Sequence, residues 1–202
     1  MIELHRDGEL WIVTINRPDK ANSLTAAMLG ELVEIAENAQ EARALILTGA
    51  GKVFSAGADL VEAKEGLAIS PLWEKLSGAI AQLPGLTIAA LNGTLAGGAN
   101  GMVLACDLRI AVPTAKVFYP VMQLGFLPQP SDPQRLRALI GPARTKLILM
   151  GGQKITAQEA YDFGLIDQLV DPVDLMDQAR SLAEHSVAAK EDIFKGISAL
   201  CR

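Results

Sequence analysis

Two stretches of small residues carry the chemistry that this chain can do: Ser55-Ala56-Gly57-Ala58-Asp59 and Ala96-Gly97-Gly98-Ala99-Asn100-Gly101. Each follows an apolar run and opens onto a helical pattern. Backbone N–H groups at such a place have no carbonyl behind them, and the helix dipole adds partial positive charge. Small side chains let a ligand approach that backbone closely. Two such turns on neighbouring strands aim two donors at one oxygen, the arrangement that stabilises an oxyanion. Either turn alone also fits plain tight packing of helix on strand. The pair, in this order, favours a backbone anion hole.

Other common chemistries find no support. Gly51-Lys52 is followed by Val53, so there is no phosphate-cradling GK[ST] loop. Gly49-Ala50-Gly51 follows a strand, but Phe54 stands where a dinucleotide fingerprint needs its third glycine. No G-x-S-x-G elbow surrounds Ser55. The two histidines, His5 and His185, lie at opposite ends, which argues against a histidine triad or a metal site.

The elements that must position the turns can be read from periodicity. Ile2–His5 and Leu10–Ile15 flank Asp7-Gly8 as a hairpin. Thr25 is the expected N-cap of a helix through Ala39. Ala44–Thr48 and Thr87–Leu91 are continuous apolar runs, as expected of strands buried on both faces. Val53–Phe54, Leu108–Val112, Val117–Tyr119 and Leu165–Val170 read as further strands. Helical material spans Leu60–Leu83 with a break near Ser70-Pro71, Met102–Cys106, Gln134–Ile140, Arg144–Met150, Asp174–Ala189 and Lys190–Leu200. A Pro-rich loop runs from Pro120 to Pro133. Thr156-Ala157-Gln158-Glu159 is a capping box and Gly164 a helix stop. Strand-strand-helix units recur three times, with both small-residue turns at matching places.

Composition bounds the setting. The 202 residues are 50% hydrophobic and 4% aromatic, enough for one sizeable aliphatic core. A net charge of −5 offers no basic face for nucleic acid. Cys106 and Cys201 form no CxxC pair, so a reducing, cytoplasmic location is expected. No charged and apolar leader precedes the first strand, and no apolar run is long enough to cross a bilayer.

The set Asn16-Arg17-Pro18, Ser55–Leu60, Asn92-Gly93 with Ala96-Gly97-Gly98, Cys106-Asp107, and Gln134-Arg135-Leu136 with Gly141 resembles the crotonase (enoyl-CoA hydratase/isomerase) family. The similarity continues through Gly151–Ile155, Ala157, Ala160, Gly164-Leu165-Ile166 and Val170. It implies an α/β spiral of repeated ββα units over 1–150 and a shortened helical C-terminal region over 151–202. It further implies a homotrimer or dimer of trimers acting on acyl-CoA or acyl-carrier thioesters, with coenzyme A entering only as part of the substrate. The family's two oxyanion donors fall on the N–H groups of Ala58 and Gly98. Lys20, Ala21 and Asn22 match the loop that lies along coenzyme A, and Lys20 and Lys52 are candidates for its phosphates. Ala56, Asp59, Leu60, Gly97 and Val121 are further substrate-binding positions by the same resemblance, with Asp59 expected to cap its helix.

The chain departs from the family where hydration needs its two glutamates. Aligned on Cys106-Asp107, the first falls on Gly101; through Pro120, the second falls on Val121. Water addition needs a base and an acid, so ordinary hydration is not expected. Decarboxylase- or hydrolase-like enolate chemistry, or a non-catalytic thioester-binding or assembly subunit, are the alternatives. Replacement groups are sought at Asp132, which reads either as a loop acid or as the N-cap of the helix at Gln134, and at Tyr119. Glu62, Lys64, Glu65 and Glu74 lie on a segment that walls the pocket in relatives and read as a solvated helix face.

Overall fold

A computed structural model describes residues 1–201. The chain opens with a hairpin, β1 (Ile2–Asp7) and β2 (Leu10–Ile15), paired antiparallel across the Asp7-Gly8 turn. Helix α1 (Ala26–Asn38) follows, and its N-cap Thr25 accepts a hydrogen bond from Met28 N–H. The next units repeat one plan. β3 (Ala44–Gly49) and β4 (Val53–Ser55) lead to α2 (Leu60–Lys64) and α3 (Leu72–Ala81). β5 (Leu86–Leu91) and β6 (Thr94–Ala96) lead to α4 (Asn100–Leu104). β7 (Leu108–Ala111) and β8 (Lys116–Phe118) lead to α5 (Val121–Leu124) and α6 (Asp132–Leu149). The chain closes with β9 (Ile155–Thr156), α7 (Ala157–Phe163), β10 (Gln168–Leu169), α8 (Leu175–Ala188) and α9 (Glu191–Leu200).

Each unit sends its first strand to one sheet and its second to another. The first sheet has the order β1-β2-β3-β5-β7-β10 and is parallel from β2 onward. The second, β4-β6-β8-β9, is parallel except for its last strand. Two-sided burial explains why β3 and β5 are mostly apolar: Ala44, Ile46, Ile88, Ala89, Ala90 and Leu91 are all fully buried. The C-terminal part of the chain contributes β9 and β10 to the same two sheets, and α8 covers β3 and β5.

Several boundaries moved from their expected places. The strand expected over Leu165–Val170 is only Gln168–Leu169, because Leu165 and Ile166 N–H close the end of α7 on Ala160 O. The helix expected over Met102–Cys106 starts two residues earlier and ends at Leu104. The Pro120–Pro133 loop contains the single turn α5, stopped by Gly125 in the left-handed region. The two helices expected around Gly141 form one span, broken where Gly141 adopts φ 77°, ψ 169° ahead of Pro142. The capping box at Thr156 and the left-handed Gly164 are both present. Among the described residues, no helix is long and apolar enough to cross a membrane, and no cluster of three or more metal-ligating side chains occurs.

Candidate active site

β4, β6 and β8 are adjacent and parallel, so the segments leaving their C-terminal ends stand side by side. Those segments are the first small-residue turn, the second, and Tyr119-Pro120-Val121. They share one cavity of about 150 Å³ with the α2–α3 segment and the loop after α5. Ala56, Ala58 and Leu60 line it from the first turn, and Ala96, Gly97 and Gly98 from the second. Phe118, Tyr119 and Val121 line it from the third, with Trp73 from α3.

The two turns touch backbone to backbone. Gly57 (φ 89°) and Gly97 (φ 58°) adopt left-handed conformations, and a Cβ on Gly57 would lie 2.9 Å from Ala96 O. Only glycine permits this approach. Leu24 N–H donates to Gly57 O and Asp59 N–H donates to Leu24 O, which fixes the first turn on both sides of Ala58. The Ala58 N–H itself donates to no backbone oxygen among these loop contacts. Gly98 is the middle residue of a 3₁₀ turn, Gly97–Ala99, whose opening amides have no carbonyl behind them. Its Cα faces Trp73: a Cβ on Gly98 would lie 3.0–3.1 Å from three ring atoms. That ring is held by its indole N–H, which donates to Leu67 O at 2.8 Å.

Buried side chains brace this backbone. Asn100 Nδ2 donates to Gly97 O (2.8 Å) and Phe118 O (3.1 Å), joining the second turn to the end of β8. The Ser55 hydroxyl donates to Asn22 O and accepts from Gly57 N–H. Asn22 was expected along the ligand loop, yet its side chain is fully buried. It accepts from Arg17 N–H and donates to Ala50 O and Val53 O, because its backbone takes a left-handed turn (φ 54°) that points it inward. Lys20 and Lys52 are exposed and Ala21 is half-buried. Asp59 caps α2 through Val61 N–H and pairs with Arg17 at 2.8 Å; the Arg17 hydrogen bond holds its carboxyl below the ordinary 3.8.

Asp132 departs most from its expected N-cap role. Ser131 occupies the N-cap and Asp132 is the first residue of α6, with its carboxyl turned inward and only 1% of the residue exposed. Tyr119 Oη donates to Asp132 Oδ2 at 2.8 Å, and Oδ1 has no hydrogen-bond partner. Burial pushes the Asp132 carboxyl up to about 6, against the opposing pull of the Tyr119 hydrogen bond and of Arg135. Burial also raises the Tyr119 phenol well above its ordinary value, and the Asp132 charge adds to that rise. Asp132 does not line the cavity; Tyr119 does. Glu74, read from sequence as solvated, accepts from the Ser131 N–H and hydroxyl, and Glu62 accepts from Ala26 N–H at 2.7 Å. Lys64 and Glu65 are exposed. Sequence reasoning missed Trp73 and the bracing role of Asn100; nothing in their local pattern separates them from ordinary core residues.

This is a spiral α/β scaffold that collects three strand-end turns around one small apolar cavity. A sequence model of the enoyl-CoA hydratase/isomerase family matches residues 6–200, so the chain belongs to that family, the crotonase superfamily. It is similar to a short-chain-enoyl-CoA hydratase of Clostridium acetobutylicum, 37% identical over 194 residues, which cover 92% of this chain and 74% of that protein. A carnitinyl-CoA dehydratase of Salmonella enteritidis PT4 is 34% identical over 214 residues, covering 98% and 81%. The crystal structure of an enoyl-CoA hydratase from Bacillus anthracis superimposes with a TM-score of 0.88 at 32% identity, covering 98% of this chain and 81% of that one.

Proposed function

We propose that the chain is an acyl-CoA enzyme that forms a thioester enolate, with the thioester oxygen bound by the Ala58 and Gly98 N–H groups, and that it does not hydrate enoyl thioesters. The observation that carries this reading is the lining of the cavity. Both turns face it, and none of its lining residues is an Asp, Glu, Lys, Arg or His. Hydration needs a base for the attacking water and an acid for the α-carbon. Gly101 and Val121 supply neither.

Loss of carbon dioxide from a malonyl-type thioester fits such a lining. The bond between the carboxylate carbon and the α-carbon breaks, and its electron pair moves onto the thioester oxygen. Carbon dioxide leaves and the α-carbon then takes one proton. The apolar wall formed by Trp73, Phe118 and Val121 disfavours the localised charge of the free carboxylate relative to the dispersed charge of the transition state. Two preorganised donors at the developing oxyanion each contribute on the order of 10²–10³ in rate.

The test presents malonyl-CoA, methylmalonyl-CoA and crotonyl-CoA to the purified protein and follows acyl products by mass spectrometry. The expected result is decarboxylation of a malonyl-type thioester and no appreciable hydration. Crotonyl-CoA hydration at an ordinary enzymatic turnover, roughly 1–10³ s⁻¹, would overturn the reading. Tight binding of acyl-CoA with no chemistry on any thioester would instead identify a binding or assembly subunit.

A further inference from the structure

A thioester enolate gives or takes one proton at its α-carbon, and no carboxylate lines the cavity. We propose that Tyr119 and Asp132 form a proton relay serving that carbon, with Tyr119 at the cavity wall and Asp132 buried behind it. The proposal rests on the enolate reading above.

Three observations converge on the pair. The first is the hydrogen bond from Tyr119 Oη to Asp132 Oδ2, at 2.8 Å, in a buried setting. With its own proton committed to the carboxylate, the phenol oxygen retains lone pairs able to accept another. The second is the unpartnered Oδ1. A buried carboxylate placed only for stability would have both oxygens satisfied, since a bare one carries a desolvation cost with no return.

The third observation concerns Gly101. A Cβ at this position would lie 2.9 Å from Asp132 Oδ1 and 3.2 Å from Oδ2, closer than a side chain can sit. A side chain at position 101 and the Asp132 carboxyl as placed here therefore compete for the same space, and one would have to shift for the other. In this chain the carboxylate beside position 101 comes from the first turn of α6 rather than from α4. The placement is fixed from outside, because Glu74 on α3 accepts from the Ser131 N–H and hydroxyl directly before Asp132. Glu74 and Arg135 are the charged groups that face the pair, and α4, packed against α6, contributes no ionisable side chain.

The proton balance closes in both directions. To make the enolate, the Tyr119 oxygen takes the α-proton as its own proton passes to Asp132 Oδ2, so no free phenolate forms and the negative charge moves to the thioester oxygen. To quench an enolate left by carbon dioxide, the same two protons run backwards and Asp132 is reprotonated by water. Asp132 acts through Tyr119 and is a positioning residue in this scheme.

The experiment is exchange of deuterium from D₂O into C2 of butyryl-CoA, followed by mass spectrometry, which requires the enolate but no decarboxylation. The ionised carboxylate is the form that accepts the proton. The wild-type rate is expected to rise with pH through about 6 and to level off only above it, as Asp132 becomes fully ionised. Tyr119→Phe preserves the ring and should lower exchange by about 10²-fold or more. Asp132→Asn should lower it similarly and abolish the pH dependence, a change that a purely structural role would not produce. Wild-type exchange in both variants, or the wild-type pH profile in Asp132→Asn, would overturn the relay. Decarboxylation of methylmalonyl-CoA without any butyryl-CoA exchange would overturn the relay while leaving the enolate reading intact. Absence of both reactions in the wild type would overturn the enolate reading itself.

Discussion

Asp132→Asn is expected to reverse the usual effect of losing a buried hydrogen-bonded acid, and to do so only above a defined pH. The carboxyl ionises near 3.8 in an unfolded chain and at about 6 in the folded one, chiefly because burial disfavours its charge. A raised folded-state value means that the native protein binds this proton more tightly than the unfolded chain does. The resulting stability is fully present below 3.8 and is lost as pH rises through about 6. Each tenfold change in proton affinity is worth about 1.4 kcal/mol, so the loss across that window is about 3 kcal/mol. Asparagine cannot ionise and escapes it. The assay is urea unfolding of both proteins at several pH values from about 4 to 7, compared as a difference so that every other titrating group cancels. The variant's stability relative to wild type should increase by up to about 3 kcal/mol between the two ends, with unchanged denaturant slope. A difference that stays flat across this window would refute the inward, desolvated placement of Asp132 and the reasoning built on it.

Two further perturbations address the backbone of the site. Gly98→Ala places a methyl 3.0–3.1 Å from a Trp73 ring that its indole hydrogen bond to Leu67 holds in place. It should cost about 1–3 kcal/mol by overpacking and displace the Gly98 N–H, lowering enolate formation by about 10²-fold; a protein with unchanged melting and deuterium exchange would count against the donor assignment. Asn22→Ala leaves the Arg17 N–H and the Ala50 carbonyl without their side-chain partner, leaves Val53 O only the longer bond from Asn92 Nδ2 at 3.2 Å, and puts alanine at φ 54°. A loss of about 3 kcal/mol in chemical unfolding is expected, and a loss below about 1 kcal/mol would show that these groups find other partners.

The legibility of this protein in its sequence follows the kind of force at work. Backbone-level features were readable because they demand particular residue types in short windows. Gly57 and Gly97 supply positive φ, Thr156 with Glu159 closes a capping box, and residues 44–47 are all apolar because both faces of their strand are covered. The alignment of two small-residue turns was readable too, since repeated strand-strand-helix units bring β4 and β6 together. Side-chain destinations were not readable where a local and a distant partner competed for the same group. Asp132, one residue before Pro133 at a helix start, has the local signature of a cap, but the long-range bond to Tyr119 and the space beside Gly101 draw it inward. Asn22 and Glu74 went the same way, one toward the carbonyls of Ala50 and Val53, the other toward Ser131, 57 residues along the chain. Family resemblance located the missing glutamates at positions 101 and 121 and offered Asp132 among several replacement groups, but could not place it beside Gly101. That is a tertiary fact: glycine at position 101 and a carboxylate at 132 are 31 residues apart, and only the packing of α4 against α6 sets them against each other.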